Sequence, residues 1–173
     1  MAIVKAVCIS EKKGTVKTAV PEIELRASHG IDGDAHAGNW HRQVSLLGVE
    51  SVERMRASLS AAPPGLLPGA SQAAPQELPP GASHTAPHEL PPGAFAENIL
   101  TEGLTLYALP VGTRLRVGGA LLEITQIGKE CHADCEIRKL TGDCVMPREG
   151  VFAIVLEGAR VRAGDAVALV SYG

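Results

Sequence analysis

The chain has 173 residues, of which 45% are hydrophobic and only 3% aromatic. This length suits one domain with a core of Val, Leu, Ile and Ala, residues that favour short β-strands, so we expect a single domain across residues 1–173. The formal net charge of -3 argues against a nucleic-acid partner, because nucleic-acid-binding proteins usually present a basic surface to the phosphates.

The N-terminus predicts the cellular compartment. Its first residues lack the basic start, apolar run and cleavage site of a signal peptide, and no apolar run of ~18 residues follows that could span a membrane. We therefore expect a cytoplasmic protein with no membrane partner, whose cysteines stay reduced. Three of its four cysteines fall within residues 131–144, and that crowding indicates reactivity or metal binding before disulfides.

The first third of the chain predicts strands, a loop and a helix. Residues 2–9 and 15–20 are rich in Val and Ile and are predicted to pair as a hairpin. Residues 29–41 mix Gly with Asp and His without periodicity, which predicts a shaped loop. Residues 43–47 are strand-like, and residues 48–56 place apolar side chains at helical spacing, so a short amphipathic helix follows.

A tandem repeat interrupts this pattern. The segment GASQAAPQELPP at 69–80 is followed by GASHTAPHELPP at 81–92, and both are rich in Pro and Ala with no apolar face to bury. We predict a disordered or polyproline-like insert at about 58–92. A proline-rich ligand for another protein is the alternative, and the insert could also cover a pocket.

The remainder is again strand-like. The pair Gly118-Gly119 between two alternating apolar runs predicts a tight hairpin. Strand-like runs occupy residues 95–103, 113–117, 120–128, 151–158 and 165–170. Seven or eight short strands with one or two helices predict a mostly β fold, a closed or nearly closed barrel.

Cys131 is the best candidate for a nucleophile. Lys129 and His132 flank it, and Arg138 and Arg148 are close in sequence. Positive neighbours lower the pKa of a thiol, and the thiolate is the form that attacks sulfur or binds a soft metal. The plain alternative is a small buried apolar residue, which is the usual fate of a free cysteine.

A structural zinc site is a further alternative. Cys131, His132, Cys135 and Cys144 could supply a Cys₃His set. The spacing supports it weakly, because His132 adjoins Cys131 and adjacent side chains rarely point at one ion.

Three blocks of the sequence resemble a known family. GKECHADCEIR followed by GDCVMPREGVFAIVLEGARVRAGD is similar to the C-terminal half of small bacterial MOSC domains, and ASHGIDGDAHAGNWHRQVSLL and FAENILTEGL resemble the family's other two blocks. The family is named after the C-terminal domain of molybdenum cofactor sulfurases. The resemblance implies a MOSC-like β-barrel with a few short helices and a signature cysteine, matched by Cys131, that accepts sulfur as a persulfide or contacts molybdenum.

The resemblance also implies a ligand and partners. The ligand would be a molybdenum or tungsten pterin cofactor (molybdopterin). The partners would be a cysteine desulfurase or molybdenum cofactor biosynthesis proteins, together with an acceptor molybdo- or tungstoenzyme. The candidate cofactor-binding residues are Arg42, Lys129, His132, Arg138, Arg148, Asp34, His36 and Asn98, with Cys131 as catalytic residue and metal contact. The cations would hold the cofactor's phosphate, and their alternative is a solvated surface charge.

The polar candidates have structural alternatives too. Asp34 and His36 would orient groups of the pocket or else cap the loop, while Gly33 supplies backbone conformation. Asn98 would lie near the pocket mouth or else form a turn, and Phe95 is expected in the core.

The role of the chain stays open at this point. We expect no room in 173 residues for the pyridoxal-phosphate domain with which full sulfurases extract sulfur, so a partner would have to make the persulfide. The chain is then a sulfur carrier, and whether it also acts catalytically, as a sulfurtransferase-type component of cofactor maturation, is left open by the sequence. The alternatives are a non-catalytic pterin-binding delivery module or a structural zinc protein.

Overall fold

The computed structural model describes residues 1–61, 90–130 and 143–173, and for residues 58–61 only the backbone. These residues form eleven strands, two α-helices and one short 3-10 helix. The strands are β1 Ala2–Ile9, β2 Thr18–Val20, β3 Glu22–Arg26, β4 Gly30–Ile31, β5 Val44–Gly48, β6 Ile99–Glu102, β7 Arg114–Val117, β8 Ala120–Ile127, β9 Val151–Glu157, β10 Arg160–Arg162 and β11 Ala166–Ser171. The helices are α1 Val49–Ala61 and α2 Met146–Glu149, and the 3-10 helix is Leu106–Ala108.

Seven of the described strands close into a barrel, in the order β11-β7-β8-β9-β5-β6-β1, with β1 pairing back onto β11. Neighbours are antiparallel except β5 and β6, which are parallel. Parallel neighbours need a crossover connection, and α1 forms the start of it. Strand β2 pairs with the end of β1, while β10, β3 and β4 form a small second sheet. The mostly β barrel predicted for this chain is therefore confirmed.

The barrel interior is aliphatic. Strands β7 and β3 alternate buried and partly or fully exposed side chains, as expected for strands with one face toward a core. Leu46, Ile99, Leu115, Leu122 and Val151 all lie in the same buried cluster. Each such side chain contributes about 1.5–3 kcal/mol when it leaves water, so the burial of these residues stabilises the closed barrel.

A second apolar cluster lies between the barrel and α1. All five residues of β5 are buried, because β6 and β9 flank this strand and α1 covers it. Val52 and Met55 of α1 pack in this cluster with Phe95, which is 1% exposed. The amphipathic helix and the core position of Phe95 agree with the sequence pattern.

Several predicted elements have the expected bounds. The β1–β2 pair forms the N-terminal hairpin, although β2 begins at Thr18 and not at residue 15, and β7 and β8 meet at Gly118-Gly119. Strands β9 and β11 also lie where the apolar runs placed them. Strands β3, β4 and β10 and helix α2 were not predicted, because elements of two to five residues carry too little periodicity.

Two boundaries were wrong. The strand expected from residue 95 begins only at Ile99, because the carboxylate of Glu97 accepts hydrogen bonds from the backbone of Gly93 and Phe95 and folds this stretch into a turn. Helix α1 continues to Ala61, so the first residues of the predicted insert are helical. Residues 62–89, which hold most of that insert, lie outside the described residues.

Within the residues that the structure describes, no helix combines the length and the apolar character needed to cross a bilayer.

Candidate functional site

A cavity of about 370 Å³ opens where several loops meet at the barrel. Its wall comes from the loop after β1, the loop between β4 and β5, the first residues of β5 and β9, the residues before β6, those after β8, and α2. The lining residues are Lys13, Gly14, His36, Trp40, Arg42, Ser45, Ala96, Asn98, Lys129, Glu130, Met146 and Phe152. Four residues proposed from sequence, Arg42, Lys129, His36 and Asn98, thus share one wall.

The charge of this wall is mainly positive. Lys13, Arg42 and Lys129 line the cavity, against the single carboxylate of Glu130 among its described residues. The guanidinium carbon of Arg42 lies 5.0 Å from the ring centroid of Trp40. The ammonium of Lys13 lies 5.2 Å from the same ring. Cations over an indole face are attracted by its negative charge density, so Trp40 holds two cations at the cavity.

Arg42 has a charge that its described surroundings leave unpaired. Its guanidinium carbon also lies 5.7 Å from the ring centroid of Phe152, so the group is placed between two aromatic rings. Within residues 1–61, 90–130 and 143–173, its Nε is buried and has no hydrogen-bond partner. A buried donor without a partner costs about 1–3 kcal/mol, and an acceptor on a bound ligand would recover that energy.

Asp34 does not line the cavity, and its side chain is fully buried behind the residues that do. Its Oδ2 lies 2.5 Å from Nζ of Lys17 and also accepts hydrogen bonds from the backbone of Ser10 at 3.1 Å and from Nδ2 of Asn98 at 3.0 Å. Its Oδ1 accepts a hydrogen bond from the backbone N–H of His36 at 2.9 Å. Asp34 therefore joins the β1–β2 loop, its own loop and the start of β6.

Burial alone would raise the pKa of Asp34. Hydrogen bonds from His36 and Lys17, together with the charge of Lys17, outweigh that effect and hold the pKa of Asp34 well below its usual range. Burial lowers the pKa of Lys17, and its hydrogen bond to Asp34 opposes the shift. The two groups are thus a buried ion pair whose members depend on each other.

Ser45 and Asn98 link β5 to the start of β6. The backbone N–H and the hydroxyl of Ser45 both donate to Oδ1 of Asn98, at 3.1 and 2.9 Å. Nδ2 of Asn98 also donates to the carbonyl of Cys8 at 3.0 Å. Asn98 is 1% exposed, so it is not a turn residue at the surface. It is a buried residue of the cavity wall whose hydrogen bonds link β1 and β5.

The turn before Asn98 is strained and closely packed. Ala96 lines the cavity with φ at +63°, a conformation that L-residues seldom adopt and that concentrates at functional sites. Gly93 has φ at +88°, and a Cβ there would lie 2.1 Å from the carbonyl oxygen of Lys17. Only glycine fits this contact, which places Lys17 behind the wall.

Glu97, 1% exposed, has its pKa raised by burial even though backbone donors oppose the shift.

The other residues proposed from sequence are placed differently. Arg148 does not line the cavity; its side chain is 57% exposed and bonds the carboxylate of Asp143 at 2.8 Å. Gly33 adopts φ at +79°, as its loop role predicts. Cys131, His132, Cys135 and Arg138 lie outside the described residues, so their roles stay predictions.

The described cysteines are not exposed nucleophiles. Cys8 is fully buried, and burial, with the negative charge of Glu97 adding to it, raises the pKa of its thiol to about 12. Cys144 is 3% exposed. In the described ranges no group of three or more His, Cys, Asp or Glu could hold a metal ion. The zinc alternative requires Cys131 and Cys135 and therefore stays a prediction.

Sequence reasoning missed Lys17, Lys13, Trp40 and Ser45. The lone tryptophan in a loop of Gly, Asp and His was a usable signal, because an aromatic residue there has no strand or helix to pack in. Lys17 gave none, since a lysine among alternating apolar residues is usually on the solvent face.

Comparisons with known proteins bear on the fold and the family. A family model described as the MOSC domain matches residues 32–168. The structure is similar to YuaD from Bacillus subtilis, with a TM-score of 0.70 and 17% identity over 100% of this chain and 98% of that chain.

It is also similar to YiiM from Escherichia coli, with a TM-score of 0.62 and 18% identity over 99% of this chain and 71% of that one. For YiiM from Geobacillus stearothermophilus the TM-score is 0.65 and the identity 16%, over 99% and 76%. No curated protein matches the sequence. At these identities the solved structures establish the fold alone.

Proposed function

Because the chain belongs to the MOSC domain family, which is associated with molybdenum-cofactor-related function, we propose that its cavity binds the phosphate-bearing pterin cofactor of molybdenum or tungsten. We further propose that Cys131 is the thiol that works at this site, as a persulfide acceptor or as a metal-contacting thiolate. The partners would be a cysteine desulfurase or molybdenum cofactor biosynthesis proteins, and an acceptor molybdo- or tungstoenzyme.

The unpaired guanidinium of Arg42 is the observation that carries the proposal. Arg42 lies between two aromatic rings on the cavity wall, and its buried Nε has no partner among the described residues. Lys13 and Lys129 line the same cavity. A planar guanidinium with two neighbouring ammonium groups matches the geometry and charge of a phosphate.

The described residues divide the work of binding. Arg42, Lys13 and Lys129 would hold the phosphate, and Trp40 keeps Arg42 and Lys13 in place through its ring face. Asn98, held by Ser45 and by the carbonyl of Cys8, keeps its part of the cavity wall rigid before the ligand arrives. The cofactor, when bound, supplies a metal centre able to exchange sulfur and electrons.

The assignment of Cys131 is supported by its sequence neighbours. Lys129 and Glu130 line the cavity, and Cys131 is the next residue of the chain. In the carrier role its thiolate would attack the terminal sulfur of a persulfide on a cysteine desulfurase. A sulfur–sulfur bond to Cys131 forms, the donor's sulfur–sulfur bond breaks, and the donor cysteine leaves as a thiolate.

Retention of the pterin tests the binding part. Wild type, Arg42→Met and Arg160→Met are incubated anaerobically with cofactor released from a molybdoenzyme and desalted, and the oxidised pterin is measured by fluorescence. Arg160 is a matched control, because it lies outside the cavity and pairs with Glu22 and Glu24. We expect Arg42→Met to weaken retention about tenfold or more, the loss of a charge-assisted bond worth ~1.5–3 kcal/mol. A wild type that retains no pterin would refute the proposal.

Intact-mass measurement tests the sulfur part. Wild type and Cys131→Ala are incubated with a cysteine desulfurase and cysteine. We expect wild type to gain the mass of one sulfur atom and Cys131→Ala to gain none. Pterin retention without any gain of sulfur would indicate a delivery module instead. Metal analysis of wild type and of Cys135→Ala tests the zinc alternative, which requires stoichiometric zinc in wild type and its loss in Cys135→Ala.

A further inference from the structure

His36 connects the buried ion pair to the cavity. Its Nδ1 lies 3.3 Å from Nζ of Lys17 and 3.3 Å from Oδ1 of Asp34. The side chains of Lys17 and Asp34 are fully buried, whereas that of His36 is 27% exposed on the cavity wall. In the described part of the chain, Nε2 of His36 has no hydrogen-bond partner.

Two arrangements of the imidazole proton compete at Nδ1. In one, Nδ1–H donates to Asp34 and Nε2 is a bare acceptor toward the cavity. In the other, Nδ1 accepts from Lys17 and Nε2–H is a donor toward the cavity. The hydrogen bond made by one ring nitrogen decides which nitrogen carries the proton. The partners of Nδ1 therefore decide whether Nε2 is a hydrogen-bond donor or an acceptor toward the cavity.

The hydrogen bonds around Lys17 decide in favour of the second arrangement. An ammonium has three donors and accepts nothing, and Asp34 at 2.5 Å favours the charged form. Its partners among the described residues are Oδ2 of Asp34 and Nδ1 of His36. A proton on Nδ1 would set two donors against each other at 3.3 Å and leave a buried ammonium hydrogen without its acceptor.

Asp34 does not need a proton from the imidazole. A carboxylate offers about four acceptor positions. Oδ1 accepts from the backbone of His36, and Oδ2 accepts from Lys17, Ser10 and Asn98. The charge of Asp34 is therefore balanced by Lys17, and Oδ2 is fully used by other donors. A proton on Nδ1 could serve only the one position left on Oδ1, at 3.3 Å.

We propose that Lys17 is a positioning residue that holds His36 as the Nε2–H tautomer, so that the cavity lined by the cation Arg42 also presents a hydrogen-bond donor from His36. The consequence for the ligand rests on the proposed function. The cofactor would have to place an acceptor, a carbonyl, a phosphate oxygen or an unprotonated ring nitrogen, against His36.

Nitrogen NMR of the histidine rings tests the tautomer on the protein alone. We measure the ring ¹⁵N shifts at mildly alkaline pH, where imidazoles are neutral, in wild type, Lys17→Met and Lys5→Met, with His36→Gln to assign the signals. Lys5 is a surface lysine paired with Glu102 and serves as the control. We expect Nε2–H in wild type and Lys5→Met, and transfer of the proton to Nδ1 in Lys17→Met, where only Asp34 is left as a partner.

A proton on Nδ1 in wild type would overturn the proposal, and this measurement does not require Lys17→Met to fold. If Lys17→Met folds and keeps the Nε2–H tautomer, the role of Lys17 is overturned as well. Either result leaves the cofactor proposal standing, because no ligand is present.

Pterin retention by two variants tests the consequence for the ligand. The amide nitrogen of a glutamine can stand near the position of Nε2, so His36→Gln keeps a donor whereas His36→Leu removes it. We expect His36→Gln to retain several-fold more pterin than His36→Leu. Equal loss in both would contradict a donor at this point, while failure of the wild type to retain pterin would refute the proposed function and not the tautomer.

Discussion

Lys17 and Arg42 are two cations at the same cavity with opposite surroundings. Lys17 is fully buried behind the wall and bonded to a buried carboxylate. Arg42 is on the wall, stacked on Trp40, and its Nε has no partner among the residues that the structure describes. Removing a charge from water costs several kcal/mol unless a partner compensates. The paired cation therefore belongs to the architecture, and the unpaired one is available to a ligand.

The largest expected effect comes from breaking the paired side. Asp34→Ala leaves Lys17 buried without its counter-ion and removes the acceptor of Ser10 and Asn98. We expect the free energy of unfolding in urea to fall by about 3–5 kcal/mol. Asp32→Ala is the matched control, because Asp32 is in the same loop but makes an exposed pair with Arg26 and should cost less than ~1 kcal/mol. Similar losses in the two variants would show that the buried pair is not a structural element.

An intermediate effect should appear at alkaline pH, through the buried thiol beside the same network. Burial raises the pKa of Cys8 from 9.0 to about 12, so above pH 9 the thiol ionises in the unfolded chain before it does so in the folded one. Stability present below pH 9 is thus lost as the pH rises toward 12, by up to ~1.4 kcal/mol per pH unit.

Unfolding of wild type and Cys8→Ala across this range measures the effect. The wild-type free energy of unfolding should fall more steeply with pH than that of Cys8→Ala. Parallel curves would mean that solvent reaches the thiol of Cys8. The contrast between the buried residues around Lys17 and the accessible cavity wall at Arg42 would then be wrong.

The smallest expected effect is on the unpaired side. Arg42→Met removes two cation–π contacts but also a buried donor without a described partner, so the two effects on stability oppose each other. We expect the free energy of unfolding to change by less than ~1 kcal/mol, and the surface control Arg160→Met to change it by a similarly small amount. A loss as large as that of Asp34→Ala would indicate that Arg42 is structural.

Part of the site could be predicted because its residues lie in blocks with a recognisable pattern. Arg42, Lys129, His36 and Asn98 were proposed from sequence and share one cavity wall. Arg148 shows the limit of that reasoning. It is close to the cysteine-rich segment in sequence, but it lies in the short helix α2 and bonds Asp143 at the surface. Nearness along the chain does not decide which way a side chain points.

Local patterns in the sequence were enough to determine the mostly β barrel, the hairpin at Gly118-Gly119 and helix α1, because periodicity and turn residues act over a few positions. Only the tertiary structure decided which charges are paired. Asp34 meets Lys17 and Asn98, which come from separate parts of the chain, while the side chain of Arg42 meets aromatic rings. The partner of a charged side chain depends on which distant parts of the chain the fold brings together, and a local sequence pattern does not contain that information.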